Sequence, residues 1–211
     1  MDKEKKYKIK LTLIRHGSTR LNEEKRYMGW IDEELSENGK KMLVAKKDFY
    51  EGYDLVFSSP MLRCRQTADI LFLNRDVKII DNWKEMNFGK FDGKNYKELS
   101  DDIDYKVWID SGCMGQIPGG EKMSSFVERS MNGLDIFFDI CEAYMPKYDI
   151  SKKAILNAAA VVHGGTIMAL LGNLTDNDYF DLIVGNGEGY ELLFEDKKLI
   201  SYRLIKDNNA L

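Results

Sequence analysis

Histidine is scarce in this chain: its 211 residues hold only two, His16 and His163. Cysteine is nearly as sparse. The three thiols, Cys64, Cys113 and Cys141, include no Cys-x-x-Cys pair, and an odd number does not close a disulfide framework. Cys64 and Cys113 read as inert small hydrophobes. A basic surplus is missing as well. Thirty-one Lys and Arg against thirty-five Asp and Glu give a net charge of −4 and a pI near 5.4, which excludes the clustered basic face of a nucleic-acid binder. The locally basic Lys3–Lys8 reads as a solvated lead-in. No run approaches the roughly 18 consecutive apolar residues of a membrane span, and none near the start looks like a secretory apolar region. Repeats, low-complexity tracts and dividing linkers are absent too. What is left is a globular domain over residues 1–211, expected in reducing cytoplasm as a monomer or homodimer, with neither nucleic acid nor membrane as a partner.

What is present is strand–helix alternation. Ile9–Ile14, Asp54–Phe57, Val77–Ile80 and Ala154–Val162 read as strands. Asn38–Tyr50 reads as a helix, as does Thr166–Leu171. Another helix is expected after Ser58-Ser59-Pro60, with the proline in its first turn. Glu191–Glu195 and Leu199–Ile205 read as a hairpin about Asp196-Lys-Lys. This pattern predicts an α/β fold with a mostly parallel sheet and one antiparallel edge. Between Trp83 and about Ile150 the character changes. Short polar helices are expected around Tyr96–Leu99 and Tyr105–Ile109, then a break at Cys113–Gly120. A long amphipathic helix follows from about Glu121 to Tyr144, with Pro146 beyond its end. The stretch 83–150 reads as a helical lid, with Trp108, Phe126, Phe137 and Phe138 as its packing.

Both histidines follow an apolar strand and precede a glycine. Ligands of open α/β sheets bind beyond the carboxyl ends of the strands, and glycine there permits close backbone approach. Arg15 adjoins His16. The segment Phe57–Thr67 follows another strand and offers Arg63 or Arg65, whose planar fork suits phosphate oxygens. Trp83-Lys-Glu85 puts a carboxylate after the third strand. The turn at Gly164-Gly165 into a helix can aim backbone N–H groups at an anion. Two imidazoles, two guanidiniums and an acid at one sheet edge form a set for phosphoryl transfer. No ligand-spacing motif flanks either histidine, so no metal is expected, and Asp101, Asp102 and Asp104 read as a solvated face.

Four segments in order also resemble the histidine phosphatase superfamily, the phosphoglycerate mutase-like family. They are Arg15-His-Gly17, Ser58-Ser-Pro-Met-Leu-Arg63-Cys-Arg-Gln-Thr-Ala68, Glu85–Gly93 and His163-Gly-Gly165. Tyr27-Met-Gly-Trp30, Leu35–Gly39 and Pro118-Gly-Gly-Glu121 fit the family as well, and the match spans about residues 9–205. The resemblance implies a three-layer, phosphoglycerate mutase-like sandwich with a helical lid. It implies His16 as nucleophile, with Arg15, Arg63 and His163 on the equatorial phosphoryl oxygens, Glu85 as acid and base, and Asn22 as a phosphoryl contact. No cofactor is implied. Gly164, Ser18 and Thr19 are further candidate phosphate contacts. Ser18 stands where the family usually has Glu or Gln, a departure that bears on how the site is held. Mutases of the family follow the acid with Arg-His-Tyr-Gly; here Met86-Asn-Phe-Gly89 follows it, and residues 111–121 hold no arginine. Hydrolysis of a small phosphorylated metabolite is therefore expected ahead of mutase chemistry or a non-catalytic phospho-ligand binder. The Glu85–Gly93 segment looks most like the α-ribazole phosphatases and the broad-specificity phosphatases, which points to α-ribazole 5′-phosphate from cobalamin synthesis.

Overall fold

Apolar side chains buried on both faces mark the inner strands of a parallel sheet. In β1 (Lys8–Arg15) Ile9, Leu11 and Leu13 face one layer of the core and Ile14 the other; in β4 (Ile155–Val162) Ala158 and Ala160 alternate in the same way with Ala159 and Val161. The computed structural model describes residues 7–145 and 155–206. Its six-stranded sheet has the order β3-β2-β4-β1-β5-β6, with β2 (Leu55–Ser58), β3 (Val77–Ile79), β5 (Gly189–Glu195) and β6 (Lys198–Ile205). The pairings β3–β2, β2–β4 and β4–β1 are parallel, and β1–β5 and β5–β6 antiparallel. The expected hairpin closes on two residues, Asp196 and Lys197, both at positive φ, as a tight hairpin turn requires.

Helices cover both faces. After the four-residue α1 (Arg20–Glu23), the helices α2 (Glu37–Lys46) and α3 (Leu62–Leu71) pack Leu43, Cys64, Ala68 and Leu71 on one face of the sheet. On the other lie α5 (Met123–Tyr144) and α6 (Gly164–Leu174), whose Leu134, Phe137, Phe138, Ile167 and Leu170 join the β1 and β4 side chains. A third cluster, around Met86, Phe91, Trp108, Met123 and Phe126, is built by the 86–127 segment with α4 (Ile103–Asp110).

The sequence expectations need four corrections. Pro60 lies before the first turn of α3, because Met61 is the cap and the Leu62 N–H is taken by Asp32 Oδ1 at 2.6 Å. Tyr96–Leu99 forms turns, not a helix; Asn95 Oδ1 accepts from the N–H groups of Lys97 and Glu98, a local bond that competes with helix. The long helix starts at Met123 instead of Glu121, whose backbone N–H and carboxylate are both bonded to Asn87. The stretch read as one lid also divides. Its 86–127 part, with Trp108 and Phe126, has its own cluster, whereas Phe137 and Phe138 of α5 belong to the main core. The expected Pro146 terminator and residues 146–150 lie outside the described residues.

Candidate active site

Adjacent parallel strands in register deliver the two histidines together. Arg15 at the end of β1 pairs with Val162 at the end of β4, and the His16 N–H donates to the Val162 carbonyl at 2.9 Å. The rings of His16 and His163 then meet edge to face, 5.2 Å between centroids. Beside them opens a cavity of about 240 Å³ lined by Arg15, His16, Asn22, Glu85 and Gly164 among others.

His16 is 3 % exposed. Its Nδ1 lies 2.7 Å from the Gly17 carbonyl oxygen; a carbonyl only accepts, so Nδ1 carries the proton and the lone pair is on Nε2, which has no protein partner. The Gly17 N–H is in turn held by Thr67 Oγ1 at 3.0 Å. Burial, then the charges of Arg63 and Arg15, hold the imidazole well below its ordinary pKa, so at neutral pH it is uncharged.

Arg15 donates from Nη1 to the Val184 carbonyl at 2.6 Å, while its Nε is buried with no partner among the described residues. An orphaned N–H of a charged group costs about 1–3 kcal/mol or more, and an anion in the cavity would remove that penalty. The Arg15 guanidinium lies against Gly164, where a Cβ would be 3.4–3.5 Å from it, at ordinary contact distance. Asn22 lines the same cavity; its Oδ1 accepts from Thr19 N–H and from Asn186 Nδ2, both at 3.3 Å.

Glu85 faces them from the opposite wall. Its carboxylate accepts from the Met86 N–H at 2.8 Å and from the Gly165 N–H at 3.1 Å. A Cβ at Gly165 would sit 2.2 Å from Glu85 Oε1, so glycine is needed there. Burial raises the carboxyl above its ordinary pKa against the opposing pull of those two N–H bonds and of Arg63 and Arg15. The loop carrying it is braced by Arg129, which donates to the carbonyls of Asn82, Lys84 and Glu85 and pairs with Glu121 at 2.8 Å.

Arg63 and His163 sit behind this surface, both 0 % exposed and neither lining the cavity. Arg63 Nε donates to His163 Nδ1 at 3.3 Å, its Nη1 to the Ile31 carbonyl at 3.0 Å, and its Nη2 to the Gly29 carbonyl at 2.9 Å and that of Met28 at 3.5 Å. Because arginine only donates, His163 Nδ1 accepts and Nε2–H donates to Ser59 Oγ at 2.8 Å. Four of the five guanidinium donors are thus committed, and the free two-pronged fork expected from sequence is not present in this arrangement. Arg63 instead supplies a fixed charge that His163 and three carbonyls hold in place. Arg65, the alternative, is exposed.

The remaining candidates divide. Thr19 Oγ1 caps α1 and contacts Met28 Sδ, and Ser18 Oγ reaches only the Thr19 carbonyl at 3.4 Å; neither lines the cavity. The Gly165 N–H, expected to face an anion, is taken by Glu85. Ser59, Thr67, Asn186, Arg129 and Asp92 were not singled out from sequence; Ser59 and Thr67 lie inside the Ser58–Ala68 segment and Asp92 inside the Glu85–Gly93 segment, but no local pattern marks Asn186 or Arg129. Among the described residues, no three His, Cys, Asp or Glu side chains gather as a metal site, and no helix is long and apolar enough to cross a membrane. A neutral, tautomer-locked imidazole beside a guanidinium, facing a carboxyl that burial helps to keep protonated, has the parts for in-line attack on phosphorus with proton delivery to a leaving group.

Residues 11–206 match the model of the histidine phosphatase superfamily (branch 1). Among curated proteins, the chain is 31 % identical over 127 residues to phosphoserine phosphatase 1 of Hydrogenobacter thermophilus, covering 57 % of this chain and 60 % of that protein. It is 32 % identical over 177 residues to fructose-2,6-bisphosphatase TIGAR of Xenopus tropicalis, covering 80 % and 62 %. The chain thus spans about three fifths of the length of these two relatives. Among solved structures, the α-ribazole phosphatase of Shigella flexneri superposes with a TM-score of 0.77 at 23 % identity, over 94 % of this chain and 96 % of that one. A phosphoglycerate mutase of Thermus thermophilus superposes at 0.67 with 26 % identity, over 94 % and 99 %.

Proposed function

Since the chain belongs to the histidine phosphatase superfamily (branch 1), we propose that it is a phosphomonoesterase working through a phosphohistidine on His16. The observation that carries this reading is the pairing of a neutral His16, its lone pair confined to Nε2, with the buried and unpartnered Arg15 Nε. His16 Nε2 attacks phosphorus in line, and Glu85 gives its proton to the departing alkoxide. Glu85, then a carboxylate, takes a proton from water, whose oxygen attacks the phosphohistidine and releases inorganic phosphate with His16 restored. Arg15 and Asn22 hold the phosphoryl oxygens at the cavity surface, and the fixed charge of Arg63 opposes the charge that develops on them.

Hydrolysis is favoured over phosphoryl return because, among the described residues, the one cation besides Arg15 that lines the phosphoryl cavity is Arg26, and it is bonded to Glu24, Glu98 and the Gly93 carbonyl. Little is left there to grip the carboxylate of a phosphoglycerate. The segment Glu85–Gly93 supports α-ribazole 5′-phosphate as a candidate substrate. The deciding measurement is turnover of p-nitrophenyl phosphate and of a phosphomonoester panel that includes α-ribazole 5′-phosphate, with EDTA present. Wild-type turnover lost in His16→Ala supports the proposal; equal rates in the two sink it. Conversion of 3-phosphoglycerate to 2-phosphoglycerate without net phosphate release would favour a mutase.

A further inference from the structure

Two further cavities adjoin the phosphoryl cavity in turn through shared lining residues. The first, about 210 Å³, shares Tyr27, Glu85, Phe88, Gly165 and Met168 with it and adds Trp108, Cys113 and Met123. The second, about 200 Å³, shares Met123, Tyr179 and Phe180 with the first and extends between α5 and α6 to Gly172 and Asn173. No lysine or arginine lines either, and Glu85 at the mouth is the only acid. A cavity of about 150 Å³ holds a benzene ring, so each compartment has room for one ring or a short alkyl chain. Burying an unpaired charge in such walls costs several kcal/mol. Trp108, one of the residues lining the first compartment, is 4 % exposed.

We propose that this trench is the leaving-group site, and that the physiological substrate is a phosphomonoester of an uncharged alcohol with an elongated apolar body. The inference rests on the phosphatase reading and sets this chain apart from relatives named for phosphoserine and fructose 2,6-bisphosphate, whose leaving groups are charged. The test uses alkyl phosphates from ethyl to octyl, which differ little in leaving-group acidity, against phosphoserine and 3-phosphoglycerate. kcat/KM is expected to rise about threefold per methylene until the trench is filled, with both charged esters below hexyl phosphate. Gly172→Leu, at a position where a Cβ meets only ordinary contacts of 3.8–3.9 Å, should lower the octyl-to-butyl ratio by narrowing the second compartment. A flat length series, or phosphoserine as the best substrate, would overturn the proposal and leave the phosphatase reading standing. No turnover in either series would overturn both.

A separate observation concerns Asp92. Its carboxylate accepts from the N–H groups of Gly29 at 2.7 Å, Trp30 at 2.9 Å and Ile31 at 3.3 Å. The peptide groups that supply the first two carry the Met28 and Gly29 carbonyls, the acceptors of Arg63 Nη2. Carboxylate and guanidinium are therefore joined through two hydrogen-bonded peptide groups, each polarised in the same sense. We infer that Asp92 is a positioning residue that holds Arg63 through the 28–31 loop. Asp92→Asn should lower kcat/KM about tenfold, since small misplacements near the reacting atoms are costly, with Asp92→Glu recovering part of it. The loss should vanish in an Arg63→Lys background, and the acid limb of the pH profile should move toward higher pH as the Arg63 charge leaves His16. Equal losses in both backgrounds, or a lower melting temperature with kcat/KM and pH profile unchanged, would refute the role. Should Asp92→Asn fail to fold, Asp92→Glu is read in the same cycle. An Arg63→Lys enzyme as active as wild type would count against both this role and the assignment of Arg63.

Discussion

His16 and His163 occupy matching places, each just past the end of a parallel strand and just before a glycine, yet they are built for different work. His16 keeps one nitrogen free at a cavity wall and has the other fixed by a carbonyl one residue away. His163 has both nitrogens engaged, one accepting from Arg63 and one donating to Ser59, and has no exposed surface. Position after a strand brings an imidazole to the site; the second hydrogen bond decides whether it reacts or supports. Both are held neutral, burial being the largest cause and neighbouring arginines the next.

Removing each ring in turn tests that division most sharply. His16→Ala should lose about 10³-fold or more in kcat, as loss of a nucleophile does, and should abolish acid-labile phosphate on the protein. His163→Gln should lose about 10²-fold while still forming the phosphoenzyme. Phosphohistidine persisting in His16→Ala would reverse the roles. Next in size is Glu85→Gln, about 10²-fold on alkyl phosphates. Attack needs His16 unprotonated, and its pKa is pushed below the usual 6.5; proton donation needs Glu85 protonated, and its pKa is pushed above the usual 4.5. Wild-type kcat/KM should thus peak on the acid side of neutrality, and Glu85→Gln should lose the alkaline limb. An unchanged limb would assign the acid elsewhere.

The mostly parallel sheet with its antiparallel edge, and the convergence of Arg15, His16, Glu85 and His163, were legible because each of these residues follows a strand, and parallel strands end on one edge; the order of the strands was not. The division of the lid was not. Phe137 and Phe138 share an amphipathic helix with Phe126, and periodicity alone does not say which layer a face meets. The state of Arg63 was equally hidden, since its restraint comes from carbonyls of Met28, Gly29 and Ile31, groups every residue possesses. Asp92 and Arg129 act on backbone atoms too, so no pairing of side-chain chemistries in the sequence gives them away.

Stability should carry the same signature as the comparison. Both imidazoles have native pKa values below their unfolded value, so as pH falls through 6.5 the unfolded chain takes up protons that the native state refuses, and stability drops. Each histidine adds a slope of up to about 1.4 kcal/mol per pH unit. Glu85 works the other way: its native pKa is raised, so its contribution is present at low pH and is lost as pH rises from about 4.5 through the native value. Melting temperatures between about pH 7.5 and 5.5 should therefore decline, and His163→Gln should flatten the decline. A pH-independent melting temperature over that range in both wild type and Glu85→Gln would mean that the rings take up protons in the native state as they do in the unfolded chain.

The smallest effect isolates the support of His163 from its ring. Ser59→Ala removes the acceptor of His163 Nε2–H and of the Met61 N–H, the latter at 3.4 Å. The ring has no escape through its other tautomer, because a proton on Nδ1 would face the Arg63 Nε–H. Only the weak acceptor Cys64 Sγ, 3.5 Å from Nε2, then remains for the ring N–H, at a cost of about 1 kcal/mol or more in stability. The effect on kcat should be only a few-fold, because His16 and Glu85 keep all their own bonds. Ser59→Thr retains the hydroxyl and should recover most of the loss. If Ser59→Ala instead cost as much activity as His163→Gln, the His163 ring would matter only through its orientation, and the two strand-end imidazoles would differ by that one bond.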